Sequence, residues 1–444
     1  MRFLRVGGAV AGAAIVVAAC AGGGATPAPA SQAPASQAPA SAAASQAPAS
    51  AATKGTIKVA IELPLQGSEL AASQPIINGI KLALKDAGGQ AGGYTVTIPD
   101  SAIFDDAVNG AHDPQQGAKN MQTIVADPDI VAVIGPLNSS VAKAQIPISN
   151  EAGLFQCSPA NTNPGLTKPP DALQLRTKPN NYVRVVTTDD VQGPAGALYM
   201  YQKLGVKSVY IIDDTETFGK GVADAFEQEF KKLGGTVVAH DAAPKTTTDY
   251  TSILTAAKAK NPGGIYFGGV TATGGARILK AAVQVGLGNI PYMGPDGIND
   301  GSGETKDSFL NLAGADAKNA YATLAGIGDF PAKAQFDAAY QKEYGQAPTG
   351  YAATGYTCMQ VVLDALNRAA QTNPSDNAAL REALRVAGTD PNHEYDTILG
   401  KIHFDQNGDT SQKIISIYTV DLSAANGKGD WVFKEQIDFA QAPA

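Results

Sequence analysis

The sequence predicts an α/β protein built as two similar domains, each a parallel sheet with helices on both faces. Two observations carry this. Short, nearly all-apolar strand runs alternate with helical stripes, the pattern of sheets buried on both sides. The alternation then restarts near Ser208 and runs through a second time. With 444 residues, two or three compact units are expected.

The first pass opens with IKVAI at Ile57–Ile61. A helix follows, with Ile76, Ile80, Ala83 and Ala87 on one stripe and Ile77 and Leu84 beside it, ending at Gly88-Gly89. TVTI at Thr95–Ile98 is the next strand, and Gln115 to Ala126 reads as a helix with Ala118, Met121, Ile124 and Val125 inward. IVAVI at Ile130–Ile134 is a third strand, closed by Gly135-Pro136; a short helix and the strand LFQC come next. The second pass has strands SVYIID, TVVA, GIYFGG and PYMGP, with helices through Val222–Leu233, from about Tyr250, and around Ile278–Val285. After Asn319 the order loosens: AYATLAG is strand-like, and helices are expected at 331–344, 350–370 and 378–386. IHFDQNGD and KIISIYTVDL then read as a closing antiparallel hairpin.

The N-terminus is different. MRFLR carries two arginines, Val6 to Ala19 is a short apolar run, and VAAC ends at Cys20. This is the layout of an export signal, residues 1–20, too short to span a bilayer comfortably. It resembles the lipobox of bacterial lipoproteins, which implies acylation of Cys20. Residues 21–54 are low-complexity, with SQAPA at Ser31, Ser36 and Ser45, and cannot build a core. They read as a disordered tether, whose prolines favour an extended reach on the order of 90 Å. Of the other cysteines, Cys157 and Cys358 are expected to be free and buried, since a separation of this size says nothing about proximity.

The formal charge of −8 suits a soluble surface and leaves no basic footprint for nucleic acid. Four dispersed histidines give no metal-ligand spacing, and no cofactor fingerprint is found. No nucleophile motif is present either, so the protein is expected not to be an enzyme. The doublets Asp105-Asp106, Asp189-Asp190 and Asp213-Asp214 sit at strand ends or in loops, where acids usually cap or are solvated. Binding without turnover is the alternative. Ligands of an open parallel sheet sit at the C-terminal ends of its strands. Leu137–Ser140, Ser158–Thr162, Thr215–Phe218 and Met293–Gly297 occupy such positions. The first opens a helix, whose N–H groups attract an anion and whose Ser139 and Ser140 add hydroxyls; a plain N-cap at Ser139 is compatible with this.

Over nearly the whole body the sequence resembles the leucine/isoleucine/valine-binding proteins of ABC transporters, the type I periplasmic binding proteins. The resemblance rests on IKVAIELPLQG, DPQQGAKNMQTIVADPDIVAVIGPLNSS, EAGLFQCSPANTNPGLT, DDTETFGKGVADAF, IYFGGVTATGGARILKAAVQVGL and PYMGPDG, in that order. It implies two Rossmann-like lobes joined by three crossings, near Arg184–Thr187, Thr323–Ala325 and Lys401–Phe404. The first lobe is then 55–185 with 324–400, and the second 186–323 with 401–444. It implies that Ser139 holds an amino acid carboxylate, and that Ala160, Asn161 and Thr162 hold the carboxylate and one ammonium hydrogen. Phe218 would close over the ligand and Asp296 would pair with its ammonium.

Departures from the family bear on the ligand. Ala72 and Val270 stand where relatives often carry aromatic residues, Asp296 is shorter than the usual glutamate, and Asn161 is polar where alanine is typical. The insertion near Val108–His112 and the stretch PPDALQLRTKPNNY are also unusual. The expectation is therefore an exported, lipid-anchored, monomeric receptor, at the outer face of the cell membrane or in the periplasm. It captures an amino acid or analogue for an ABC permease and ATPase. An amide, urea-like or aromatic solute, or ligand sensing without transport, remain alternatives.

Overall fold

In a computed structural model of the protein, the structure describes residues 53–440. The export signal, Cys20 and nearly all of the tether lie outside the described residues. Among the described residues, no helix is long and apolar enough to cross a membrane.

Two seven-stranded sheets organise the body. In the first, strand Thr56–Leu63 pairs in parallel with Tyr94–Thr97, Ile103–Asp105 and Ile130–Ile134. Phe155–Ser158 and Tyr182–Arg184 extend it, again in parallel. Strands Ile130–Ile134 and Phe155–Ser158 are buried at every position; the first is apolar throughout, and in the second Gln156 and Ser158 bond Gly135 O and Pro136 O. In the second sheet, Thr236–Ala242, Ser208–Asp213, Gly264–Gly268, Tyr292–Gly294 and Ala320–Leu324 run parallel in that order. Ile414–Asp421 and Asp430–Asp438 complete it antiparallel.

The helices fall close to their sequence stripes. Glu69–Asp86 turns Ile76, Ile77, Ile80 and Ala83 inward, and its main neighbour is helix Ala352–Ala369. Helices Lys333–Tyr344, Ala352–Ala369 and Asn377–Gly388 thus return the chain to the first sheet after Leu324. The closing hairpin differs from expectation. Ile414–Asp421 pairs with Asp430–Asp438, while Gly400–Ile402 of the IHFDQNGD stretch pairs locally with Tyr395–Thr397. DWVFKEQID is charged and exposed along much of its length, so its strand character was hidden. The chain therefore enters the second sheet for the last time at Ile414, beyond the crossing expected near Lys401–Phe404.

The cysteines are not free. Cys157, in a strand of the first sheet, is bonded to Cys358 in helix Ala352–Ala369, with Cα atoms 5.8 Å apart. That helix packs against the same strand, and this removes a sequence separation of 201 residues.

Candidate functional site

Each expected ligand loop leaves the C-terminal end of a parallel strand, and the loops of the two lobes converge on one cleft. Counted out to its mouth, the cleft holds about 610 Å³. Ser139, Ala160, Thr162, Phe218 and Asp296 all line it. Ser140 and Asn161 do not. The Ser140 hydroxyl is buried without a partner. The Asn161 side chain is consumed by the scaffold: Nδ2 donates to Leu137 O at 2.8 Å, and Oδ1 accepts from the Tyr182 hydroxyl at 2.8 Å.

On the first lobe, Gly135 turns the chain from strand Ile130–Ile134 toward the cleft. Its φ is +136°, and a Cβ there would lie 2.0 Å from Glu62 O, so glycine is required. Helix Ser139–Glu151 begins at the cleft, with Asn138 as an N-cap whose side chain caps nothing. Ser139 is the first helical residue rather than the cap. Its Oγ accepts only a long bond, 3.4 Å, from Asn163 N. The open first-turn N–H groups and the Ser139 hydroxyl together favour an anion. The next loop is braced from behind. Ser158 Oγ accepts from Asn161 N at 2.9 Å and Ala160 N at 3.3 Å, so these amides face the scaffold rather than a ligand. Thr162 keeps a buried hydroxyl without a partner.

On the second lobe, Asp296 accepts from Gln192 Nε2 and lies within bonding reach of the Tyr351 hydroxyl. Burial pushes its carboxyl up to about 6, against the pull of these two donors. Among the described residues, none that lines the cleft is basic. Behind Asp296, Asp189 is wholly buried with both carboxylate oxygens unpartnered, and burial followed by the charge of Asp296 holds it well above the carboxylate range. The doublets thus divide. Asp190 pairs with Lys168 at 2.6 Å on the surface, whereas Asp189, Asp106 and Asp214 are interior. Asp213, also buried, lies 3.1 Å from His240.

Sequence reasoning missed Glu69, Thr271, Asn299, Asp300 and Tyr351, all of which line the cleft. Asn299 and Asp300 follow Asp296 within the same turn, and that proximity was their only sequence signal. Ala72 and Val270 are both on the wall, so the aromatic residues absent from the sequence are absent from the cleft itself. Across its mouth, His112 of the inserted hairpin contacts Glu69 at 2.7 Å and faces Glu216 of the second lobe at 3.6 Å. Lys245 completes the group, 3.1 Å from Glu216.

Comparison with known proteins agrees with this architecture. The chain is 27% identical over 378 residues to the Leu/Ile/Val-binding protein BraC3 of Rhizobium johnstonii, covering 82% of this chain and 91% of that one. It is similar to the solved leucine-binding protein LivK of Thermotoga maritima, with TM-score 0.73, 25% identity, and 87% and 100% of the two chains covered. It shares its fold with a solute-binding protein of Rhodopseudomonas palustris solved with 3,4-dihydroxybenzoic acid, at TM-score 0.68, 21% identity, and 86% and 97% coverage. The profile of the periplasmic binding protein family matches residues 56–428. The chain therefore belongs to the periplasmic binding proteins, in the type I group of the Leu/Ile/Val-binding proteins, and is an exported solute-binding protein of the ABC transporter kind rather than an enzyme.

Proposed function

We propose that this protein captures an α-amino acid or a closely related zwitterion between its lobes and delivers it to an ABC permease and its ATPase. One observation carries the reading. The cleft sets an uncapped helix N-terminus with the Ser139 and Thr162 hydroxyls on one side, and an acid, Asp296, with no cation among the described lining residues on the other. A carboxylate fits the first and an ammonium the second, and each charge removed from water needs such a partner. Phe218, half-buried in the first turn of helix Thr217–Lys232, covers the ligand. Contacts bridging the two lobes drive closure. Acylation at Cys20 holds the monomeric receptor at the membrane, with the Ala/Pro/Ser/Gln segment as its tether.

A second reading, an aromatic acid, draws on the small residues Ala72 and Val270 at the wall and on the dihydroxybenzoate-bound relative. Calorimetry on protein freed of bound solute separates the two. Under the proposal, zwitterionic amino acids bind and benzoates do not; tight benzoate binding with silent amino acids rejects it.

A further inference from the structure

Two further cleft-lining side chains, three and four residues after Asp296, carry unspent hydrogen-bonding capacity. Asn299 and Asp300 are only 6% and 4% exposed. Asn299 Nδ2 and Asp300 Oδ2 are buried without partners. The Asp300 carboxylate is held in place, because its other oxygen accepts from Phe309 N at 2.8 Å. Thr271, flanked on the wall by Val270 and Ala272, spends its hydroxyl on Gly297 O at 3.5 Å. A buried donor or acceptor left unpaired costs free energy, so an adjacent pair of them on the wall of a ligand cleft points to a partner on the ligand.

We propose that Asn299 Nδ2 and Asp300 Oδ2 read a carboxamide or ureido group at the end of the ligand's side chain. The inference rests on the amino-acid reading above and narrows it. One donor and one acceptor on consecutive residues are the complement of a group that offers both a carbonyl oxygen and an N–H. An alkyl side chain leaves both atoms unpaired. An ammonium or guanidinium offers donors only, so Asn299 Nδ2 stays unpaired. A carboxylate would face Asp300, with Glu69 and Asp296 lining the same cleft. Burial pushes Asp300 up to about 7, in keeping with a site that lacks a fixed cation. The polar side chain that sequence marked out at Asn161 is already spent on the scaffold, so it leaves this reading to the opposite lobe.

The test is calorimetry on the full protein freed of bound solute, pairing each amide with its hydrocarbon isostere: L-asparagine against L-leucine, and L-glutamine against L-homoleucine. L-citrulline, L-lysine and L-glutamate complete the panel. At least one carboxamide or ureido ligand is expected to bind about tenfold or more tightly than its isostere, or than lysine in the case of citrulline. Asp300→Asn keeps the acceptor for Phe309 N, and Asn299→Leu replaces the amide isosterically; each should shrink that ratio toward one. If Asp300→Asn fails to fold, Asn299→Leu carries the same comparison. Isosteres that bind as tightly as the amides, a ratio unchanged in the folded variants, or tighter binding of lysine or glutamate would overturn the inference and leave the amino-acid reading standing. Silence of every amino acid would instead remove that reading itself.

Discussion

Arg184 and Asp409 form an ion pair closed off from solvent, with Nε 2.7 Å from Oδ1. Arg184 ends the edge strand of the first sheet, and Asp409 bridges to it from the segment that leads into the second sheet. The same guanidinium donates to Asn161 O at 3.1 Å and to Asn163 O at 2.7 Å. A single cation therefore ties a lobe crossing to the loop that carries Thr162. A loop of small, uncharged residues holds its shape because its carbonyls are fixed from beneath.

Asp409→Ala should cost about 3–5 kcal/mol of stability, because it strands a buried charge. Arg184 would keep its bonds to the loop carbonyls, so the loss should exceed what hydrogen-bond deletion alone gives. Denaturant titration measures it. A loss under about 1 kcal/mol would mean the pair is not sealed as described.

The contact of His112 with Glu69 and Glu216 makes the junction of the lobes pH-dependent. Burial alone opposes a charged ring, yet the charge of Glu69 and bonds to Glu216 and Glu69 carry His112 up to about 10. Its bond and charge, with Lys245, outweigh burial and hold Glu216 down to about 2. A histidine raised from 6.5 contributes stability in full below that pH and loses it as pH climbs toward 10. A glutamate lowered from 4.5 contributes above that value and loses it as pH falls toward 2. The pair's own contribution, read as the difference in melting temperature between wild type and His112→Gln, should thus be greatest between about pH 4.5 and 6.5 and decline on the alkaline side. His112→Gln should flatten the alkaline decline. The nearby Asp214, which burial raises to about 6, works against the plateau below that pH but does not touch the alkaline limb.

The disulfide closes a loop of 201 residues, for which chain entropy predicts a large effect. Replacing both Cys157 and Cys358 by alanine should lower stability by about 2–5 kcal/mol. Thermal melts of this variant, with reduced wild type beside it, provide the check. Because the bond lies within the first lobe, ligand affinity in the folded variant should stay within about twofold of wild type.

Strand and helix periods made most of the parallel framework legible, because strands buried on both faces are largely apolar; Ile103–Asp105 and Tyr182–Arg184, three residues each and ending in a charge, escaped. DWVFKEQID stayed hidden because one exposed, charged face leaves only weak alternation at a sheet edge. The cleft was legible where its residues sit directly after strands: Ser139, Thr162, Phe218 and Asp296. Glu69 and Tyr351 come from helix starts distant in sequence, and only packing brings them in. Asn161 failed for another reason. Its position was right, but strand Tyr182–Arg184 places the Tyr182 hydroxyl behind it, and the side chain turns away from the cleft.

Ser139→Ala removes a hydroxyl whose only protein bond is the long one from Asn163 N. Stability should change by less than about 1 kcal/mol, while affinity for a carboxylate-bearing ligand falls about tenfold. Calorimetry and melting together decide it. Unchanged affinity would place the carboxylate elsewhere.

Asp296→Asn tests the other head group. The substitution keeps the side chain's shape and its acceptor for Gln192 but removes the charge. If an ammonium sits against Asp296, an amino acid should lose about 100-fold in affinity, the cost of leaving a buried charge without its partner. The matching acid without an amino group should gain rather than lose, because a repulsive carboxylate has been neutralised. Burial pushes Asp296 up to about 6, so amino acid binding to the wild type should also weaken as pH drops below that value. The variant should show no such step. Equal losses for the amino acid and its deaminated analogue, or a pH profile shared by wild type and variant, would take Asp296 out of contact with the ligand's ammonium.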